Sequence, residues 1–196
     1  MTSDQFLELS LDDPESADWN CAIDAFEERF LERYLKPVES LLTQEAKTSS
    51  VAGEMHGPGF VILSICFMLL ESLQGFRDGE GQHREKSKRL FVHALGCMSK
   101  QHDLNLNEEQ CEEVYSKGRC ALLHAAGTEG IIVGRTGQAI EPDKTGDGFK
   151  INRTKFFELV KSEFRDYAEK LRNPIEVDLR KNFREKMNFI AGAKKI

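Results

Sequence analysis

A mainly α-helical fold with one small β insertion is the class that this 196-residue sequence predicts. Three observations carry that reading. Apolar residues recur at steps of three and four over several long stretches: Trp19, Ile23, Phe26, Phe30 and Tyr34, then Cys111, Tyr115, Gly118 and Leu122, then Phe157, Val160, Phe164, Tyr167 and Leu171. The stretch 60–76 is apolar nearly all round, which marks a central buried helix. Strand character is confined to residues 129–152, where Ile131-Ile132-Val133, Ala139-Ile140 and Phe149-Lys150-Ile151 alternate with Gly-rich turns.

Taken in order, the first helix is expected to start at Asp13-Pro14, with Asp as cap and Pro at the first helical position. Pro37 should end or kink it, and its outer face holds Glu27, Glu28 and Glu32. Residues 47–59, with several Gly and Ser and a lone His56, read as a loop. The central helix follows, crossed by a polar stripe of Ser64, Glu71, Gln74 and Asp78. A carboxylate embedded in such a helix is costly unless it is paired, so Glu71 either accepts from an Arg or a backbone group, or sits at an exposed rim. A turn at 77–82 leads to a third helix, 83–95, which carries Arg84, Lys86, Lys88 and Arg89. A loop around Gly96 to Asn105 then precedes a helix capped by Asn107 and ending at His124. After an antiparallel hairpin, Asn152 or Thr154 caps the next helix. Asn173-Pro174-Ile175-Glu176 is expected to start the last one, with Ile175, Leu179, Phe183, Met187 and Ile190 inward and Arg180, Lys181, Arg184 and Lys186 on the other face. The organisation is one domain, 1–196: an acidic N-terminal helix (1–46), core helices (60–124), the β-hairpin (129–152) and C-terminal helices (153–191).

Formal net charge is −6, which argues against a protein that coats duplex nucleic acid. The charge is unevenly spread: residues 1–46 carry a net −9 and residues 152–196 a net +5. Either a local basic surface or head-to-tail complementarity follows. The five Cys are odd in number and form no CxxC pair, so reduced, buried thiols in a cytoplasmic protein are expected. The N-terminus has no basic region before an apolar run, and the longest apolar stretch, Phe60–Leu70, interrupted by Ser64, would span only about 16 Å as helix, so no membrane association is expected.

The chemistry concentrates in Arg119-Cys120-Ala121-Leu122-Leu123-His124. Residues five apart in a regular helix lie about 140° apart after one turn, so Arg119 and His124 do not share a face. They converge on one anion only through the reach of Arg119, the helix end before Gly127, or a second copy of the helix across a two-fold axis. An imidazole that titrates near neutrality and a guanidinium that holds non-bridging oxygens suit cleavage of RNA, whose 2′-hydroxyl is its own nucleophile and needs no metal. The five His lack HExxH spacing, and no GxxxxGK or GxGxxG occurs, so no metal or nucleotide cofactor is expected. Cys120 and His124 form at most half a metal site, and Cys120 as a nucleophile with His124 as base is the lesser reading.

The run Arg119 to His124 resembles the Arg-x4-His signature of the HEPN superfamily, helical nucleotide- and nucleic-acid-binding domains of prokaryotic defence and toxin–antitoxin systems. The upstream run Cys66 to Arg77 is similar in style to a bacterial HEPN-like lineage. The resemblance implies a bundle of four to five long helices, a homodimer that brings two motifs together, and metal-independent endoribonuclease activity. Arg119 and His124 would be the active pair, Glu71 would orient Arg119, and RNA and an antitoxin or other defence-system protein would be the partners. Cys120 departs from the polar residue, often Asn, that follows the Arg in active members. The alternative is therefore a catalytically inactive HEPN-like module that binds a protein or a nucleotide.

Overall fold

The computed structural model describes residues 1–48, 57–143 and 148–192. The expected loop around His56, residues 144–147 and the end of the chain from 193 lie outside the described residues. Helix dominates, and one small sheet interrupts it.

The organising element is α4, Gly59–Arg77. It is long and apolar enough, by composition, to cross a membrane, but 67% of its most apolar 18 residues are buried in the fold. Ile62, Leu63, Cys66, Phe67, Leu70, Leu73 and Phe76 are buried, because helices pack on it from several sides. These are α5 (Ser87–Gln101), α8 (Arg153–Arg172) and α9 (Val177–Ala191). Phenylalanine fills the layer between α2 (Asp18–Phe30), α4, α8 and α9. The Phe26 ring lies 4.7–5.8 Å from those of Phe30, Phe76, Phe164, Tyr167 and Phe183. Each such pair contributes about 0.5–1.5 kcal/mol beyond the area it buries.

Several local expectations need correction. Asp13-Pro14 starts a turn rather than the helix. Glu15 N donates to Asp13 Oδ1 at 2.9 Å and Ser16 N to Asp13 O at 3.1 Å, and α2 begins at Asp18. A short helix, α1 (Ser3–Leu7), lies upstream with a Thr2/Gln5 capping box. Pro37 does not end the helix. A π-helical turn at Leu31–Leu35 precedes it, and α3 (Lys36–Thr48) carries on beyond it. The wider turn accommodates a residue that offers no N–H to the ladder. Helix α5 runs past Gly96 to Gln101, since doing so buries Leu95, Met98 and Ser99, whose Oγ accepts from Leu106 N at 2.9 Å. Of the five cysteines, all free, Cys66 and Cys111 are buried whereas Cys21 and Cys97 are exposed.

The β insertion is more than a hairpin. β1 (Ile131–Gly134), β2 (Ile140–Pro142) and β3 (Phe149–Asn152) form a sheet of order β1-β3-β2. β2 and β3 pair antiparallel, but β1 lies parallel to β3 on its other edge. The chain crosses over the end of β3 between β1 and β2, and Asn152 pins that crossing. Its Nδ2 donates to Arg135 O at 2.9 Å, while its Oδ1 accepts from Thr154 N and Lys155 N and so caps α8. A cap of this kind stabilises by about 1 kcal/mol.

Part of the segregated charge pairs within the chain. Arg172 pairs with Asp24 and Glu27, Arg184 with Asp12, and Lys161 with Glu39. Arg180 is buried against Trp19, with its guanidinium 4.5 Å from the ring, and donates to Leu171 O at 2.7 Å and Pro14 O at 2.6 Å.

Candidate functional site

Arg119 and His124 lie on one continuous helical segment of changing pitch. It begins as α6 (Glu108–Val114), capped by Asn107, widens to a π-helix over Tyr115–Cys120, and closes as α7 (Ala121–Ala125). Arg119 thus leaves from the π turn, a feature often found at functional sites. Gly118 is buried where this segment meets the core. A Cβ there would lie 2.8 Å from both Ile131 Cδ1 and Phe67 Cε2. Only glycine lets the π turn sit this deep, and that depth brings Arg119 to α4.

There it meets Glu71, which is 5% exposed. Arg119 Nε and Nη2 both reach Glu71 Oε2, at 3.1 and 2.9 Å. Ser87, the first residue of α5, donates to the same oxygen at 2.7 Å and accepts from the Tyr115 hydroxyl at 3.2 Å. Glu71 Oε1 bonds His83 Nδ1 at 3.0 Å. Burial pushes the Glu71 carboxyl up, but the His83 and Ser87 hydrogen bonds and the Arg119 charge outweigh it and hold the group below the ordinary carboxylate range. Glu71 is therefore a buried, fully bonded anion, and the exposed-rim reading is excluded.

The imidazole of His83 is held at both ends. Its Nε2 lies 2.9 Å from Lys186 Nζ, which also donates to Glu80 O at 2.6 Å and Gly81 O at 3.1 Å. Lys186 is 6% exposed, and burial lowers its pKa. The face of α9 opposite the expected apolar stripe thus delivers an ammonium to the interior. His83 packs against Gly75, where a Cβ would overlap Nε2 and lie 2.9 Å from Cε1. Neither His83 nor Lys186 was singled out by sequence. The available signal was Gly75 itself, since a glycine inside an apolar helix marks a close neighbour.

His124 stands apart from this network. It is exposed, in the last turn of α7, and makes no hydrogen bond or ion pair with a described residue. Its neighbour Leu123 is 65% exposed. The helix stops just after it, at Ala126, whose φ of 53° is left-handed, one residue before the expected break at Gly127. The structure therefore brings together Glu71 and Arg119 within one chain and leaves His124 facing outward. Cys120 is half-buried beside Tyr115; burial first, and then the Cys120 contact, raise the Tyr115 phenol above its ordinary range. Among the described residues no group of three or more His, Cys, Asp or Glu side chains is arranged to hold a metal ion.

The guanidinium retains chemical capacity. One edge, Nε and Nη2, is engaged by a single carboxylate oxygen. Nη1 makes no hydrogen bond with a described residue, and the side chain is 21% exposed. An Arg fixed in this way presents two-pronged donors to an incoming oxyanion without a search over rotamers. Comparison with protein-family models, with curated proteins and with solved structures found no match.

Proposed function

We propose that this chain is a metal-independent endoribonuclease of the Arg-x4-His kind, a cytoplasmic bundle of four to five long helices that works as a homodimer in prokaryotic defence or toxin–antitoxin pairing. The observation that carries the reading is the Glu71–Arg119 pair, which fixes one edge of a guanidinium and leaves the other open, with an exposed imidazole further along the same helical segment available to a second copy. In the reaction the 2′-oxygen of a ribose attacks the adjacent phosphorus and the bond from phosphorus to the 5′-oxygen breaks. His124 takes the 2′-proton or protonates the leaving 5′-oxygen, and Arg119 stabilises the charge that grows on the non-bridging oxygens. Two copies facing across a two-fold axis supply each Arg119 with a His124. The products are a 2′,3′-cyclic phosphate and a 5′-hydroxyl.

The test is cleavage of structured and unstructured RNA, with EDTA present, by wild type, Arg119→Ala and His124→Ala. Cleavage by wild type alone, with both variants folded, is the expected result. Equal degradation by all three refutes the reading. No cleavage by wild type, together with retained binding of a nucleotide or a protein partner, selects the inactive binding module instead.

A further inference from the structure

The geometry points to His83 as a positioning residue for Arg119, acting through Glu71 and set in one tautomer by Lys186. The argument is donor and acceptor accounting. A lysine ammonium has three N–H donors and no acceptor. Lys186 faces three acceptors: Glu80 O, Gly81 O and His83 Nε2. His83 Nε2 must therefore present its lone pair, which places the imidazole proton on Nδ1. Nδ1 faces Glu71 Oε1, so the imidazole donates to the carboxylate as a neutral ring. Ser87 has only one hydroxyl proton, and it goes to Glu71 Oε2, because its oxygen accepts from Tyr115.

The carboxylate is thus clamped from both ends. His83 holds Oε1, Ser87 holds Oε2, and the plane of the carboxyl group is fixed before Arg119 docks on it. Without the His83 bond the carboxylate is held at Oε2 alone, its plane is no longer fixed from both ends, and Arg119 loses part of the reference that aims its open edge. The clamp draws on five places in the chain: α4 (Glu71, Gly75), the turn before α5 (Glu80, Gly81, His83), the start of α5 (Ser87), the motif segment (Tyr115, Arg119) and α9 (Lys186). Gly75 leaves the space that the Nε2 end of the ring occupies. None of these residues except Arg119 belongs to the Arg-x4-His run.

The effect on turnover rests on the nuclease reading; the effect on Arg119 does not. The experiment therefore has two arms, both on the full chain. In the first, nitrogen-15 spectra of wild type, His83→Ala, His83→Asn and Lys186→Met report the His83 tautomer and the exchange of the Arg119 Nε proton. Wild type is expected to show the Nδ1–H tautomer and a slowly exchanging Arg119 Nε–H. His83→Ala should lose that protection, and His83→Asn, whose amide can occupy the Nδ1 position, should restore most of it. Lys186→Met should release the tautomer preference. In the second arm, RNA cleavage by His83→Ala should fall at least about ten-fold in kcat with KM changed less than about two-fold, and His83→Asn should recover most of the loss. An Nε2–H tautomer in wild type, or a folded His83→Ala with unchanged Arg119 exchange, overturns the proposal. Silence of wild type in the second arm counts against the nuclease alone, since the first arm still decides the role of His83.

Discussion

Glycine at position 75 should change the sign of its mutational effect according to what stands at position 83. A Cβ on Gly75 would overlap His83 Nε2 and sit 2.9 Å from Cε1, closer than real Cβ atoms approach. The ring has no slack, being tied to Glu71 at 3.0 Å and Lys186 at 2.9 Å, so Gly75→Ala must break one or both contacts. Losing a hydrogen bond to a charged partner costs about 1.5–3 kcal/mol. Alanine in a helix interior returns about 1 kcal/mol over glycine. The net expected loss is about 2 kcal/mol, a fall in Tm of roughly 4–8 °C for a chain of this size. In a His83→Ala background the space is empty, the contacts are already gone, and only the helix-propensity gain remains. There Gly75→Ala should be neutral or stabilising by up to about 1 kcal/mol. The two sites should therefore couple by about 3 kcal/mol, the upper end for neighbouring residues. Urea unfolding of the four proteins measures this directly. If Gly75→Ala destabilises both backgrounds equally, the ring does not lie on Gly75 and the clamp on Glu71 is wrong.

Two further outcomes follow from the same geometry. Because the Glu71 carboxyl is held below its ordinary value of 4.5, its contribution is fully present above that pH and is lost as pH falls through the lower folded-state value. The urea midpoint of wild type should thus drop more steeply below about pH 4.5 than that of Glu71→Gln, which should itself be about 2 kcal/mol less stable at neutral pH; parallel profiles would contradict the buried anion. Ala126→Gly relieves a left-handed residue at the helix end, φ 53°, and should raise stability by about 1 kcal/mol in thermal unfolding.

Periodicity reports burial, which is why the helical class, the α8 stripe and the burial of α4 were legible in the sequence. Proline is ambiguous in a way periodicity is not. Asp13-Pro14 and Asn173-Pro174 both read as helix starts, and both form the same turn. The residue two on donates to the Asx side chain (Glu15 to Asp13, Ile175 to Asn173), and the residue three on donates to the Asx carbonyl. Pro fits the second position of such a turn as well as the first turn of a helix. Ile175 is consequently 82% exposed rather than part of the α9 stripe. Arg119 and Glu71 stood out because a guanidinium beside a buried helix and a carboxylate inside one each demand a partner, and they are each other's. His83 and Lys186 did not, since the line between them crosses from a turn to a helix 103 residues later. Parallel pairing of β1 was hidden for the same reason: strand register over a crossover is not a local property.

The charge distribution bears on how an RNA could reach Arg119. The basic tail looked like a candidate surface, yet Arg172, Arg184 and Lys161 are matched to carboxylates, and Arg180 and Lys186 are buried on backbone carbonyls. Near the motif the pattern repeats: Lys86 meets Glu80, Lys88 meets Glu112, Arg89 meets Asp78 and Glu80, and Lys117 meets Glu113. A strand that displaced these partners would exchange one anion for another and gain little. Around Glu71, Arg119 keeps an open edge, and the exposed Arg84, next to His83 in the chain, makes no ion pair with a described residue. Each phosphate neutralised on a single strand contributes about −0.7 to the slope of log affinity against log salt. Two such contacts per chain give a slope of about −1.4, far shallower than for a protein that binds along a basic groove. Filter-binding of an uncleavable 2′-deoxy oligonucleotide across a salt series measures it. A slope steeper than about −4 would mean that the ion pairs open on binding and that the balanced surface is an electrostatic lid rather than a fixed one.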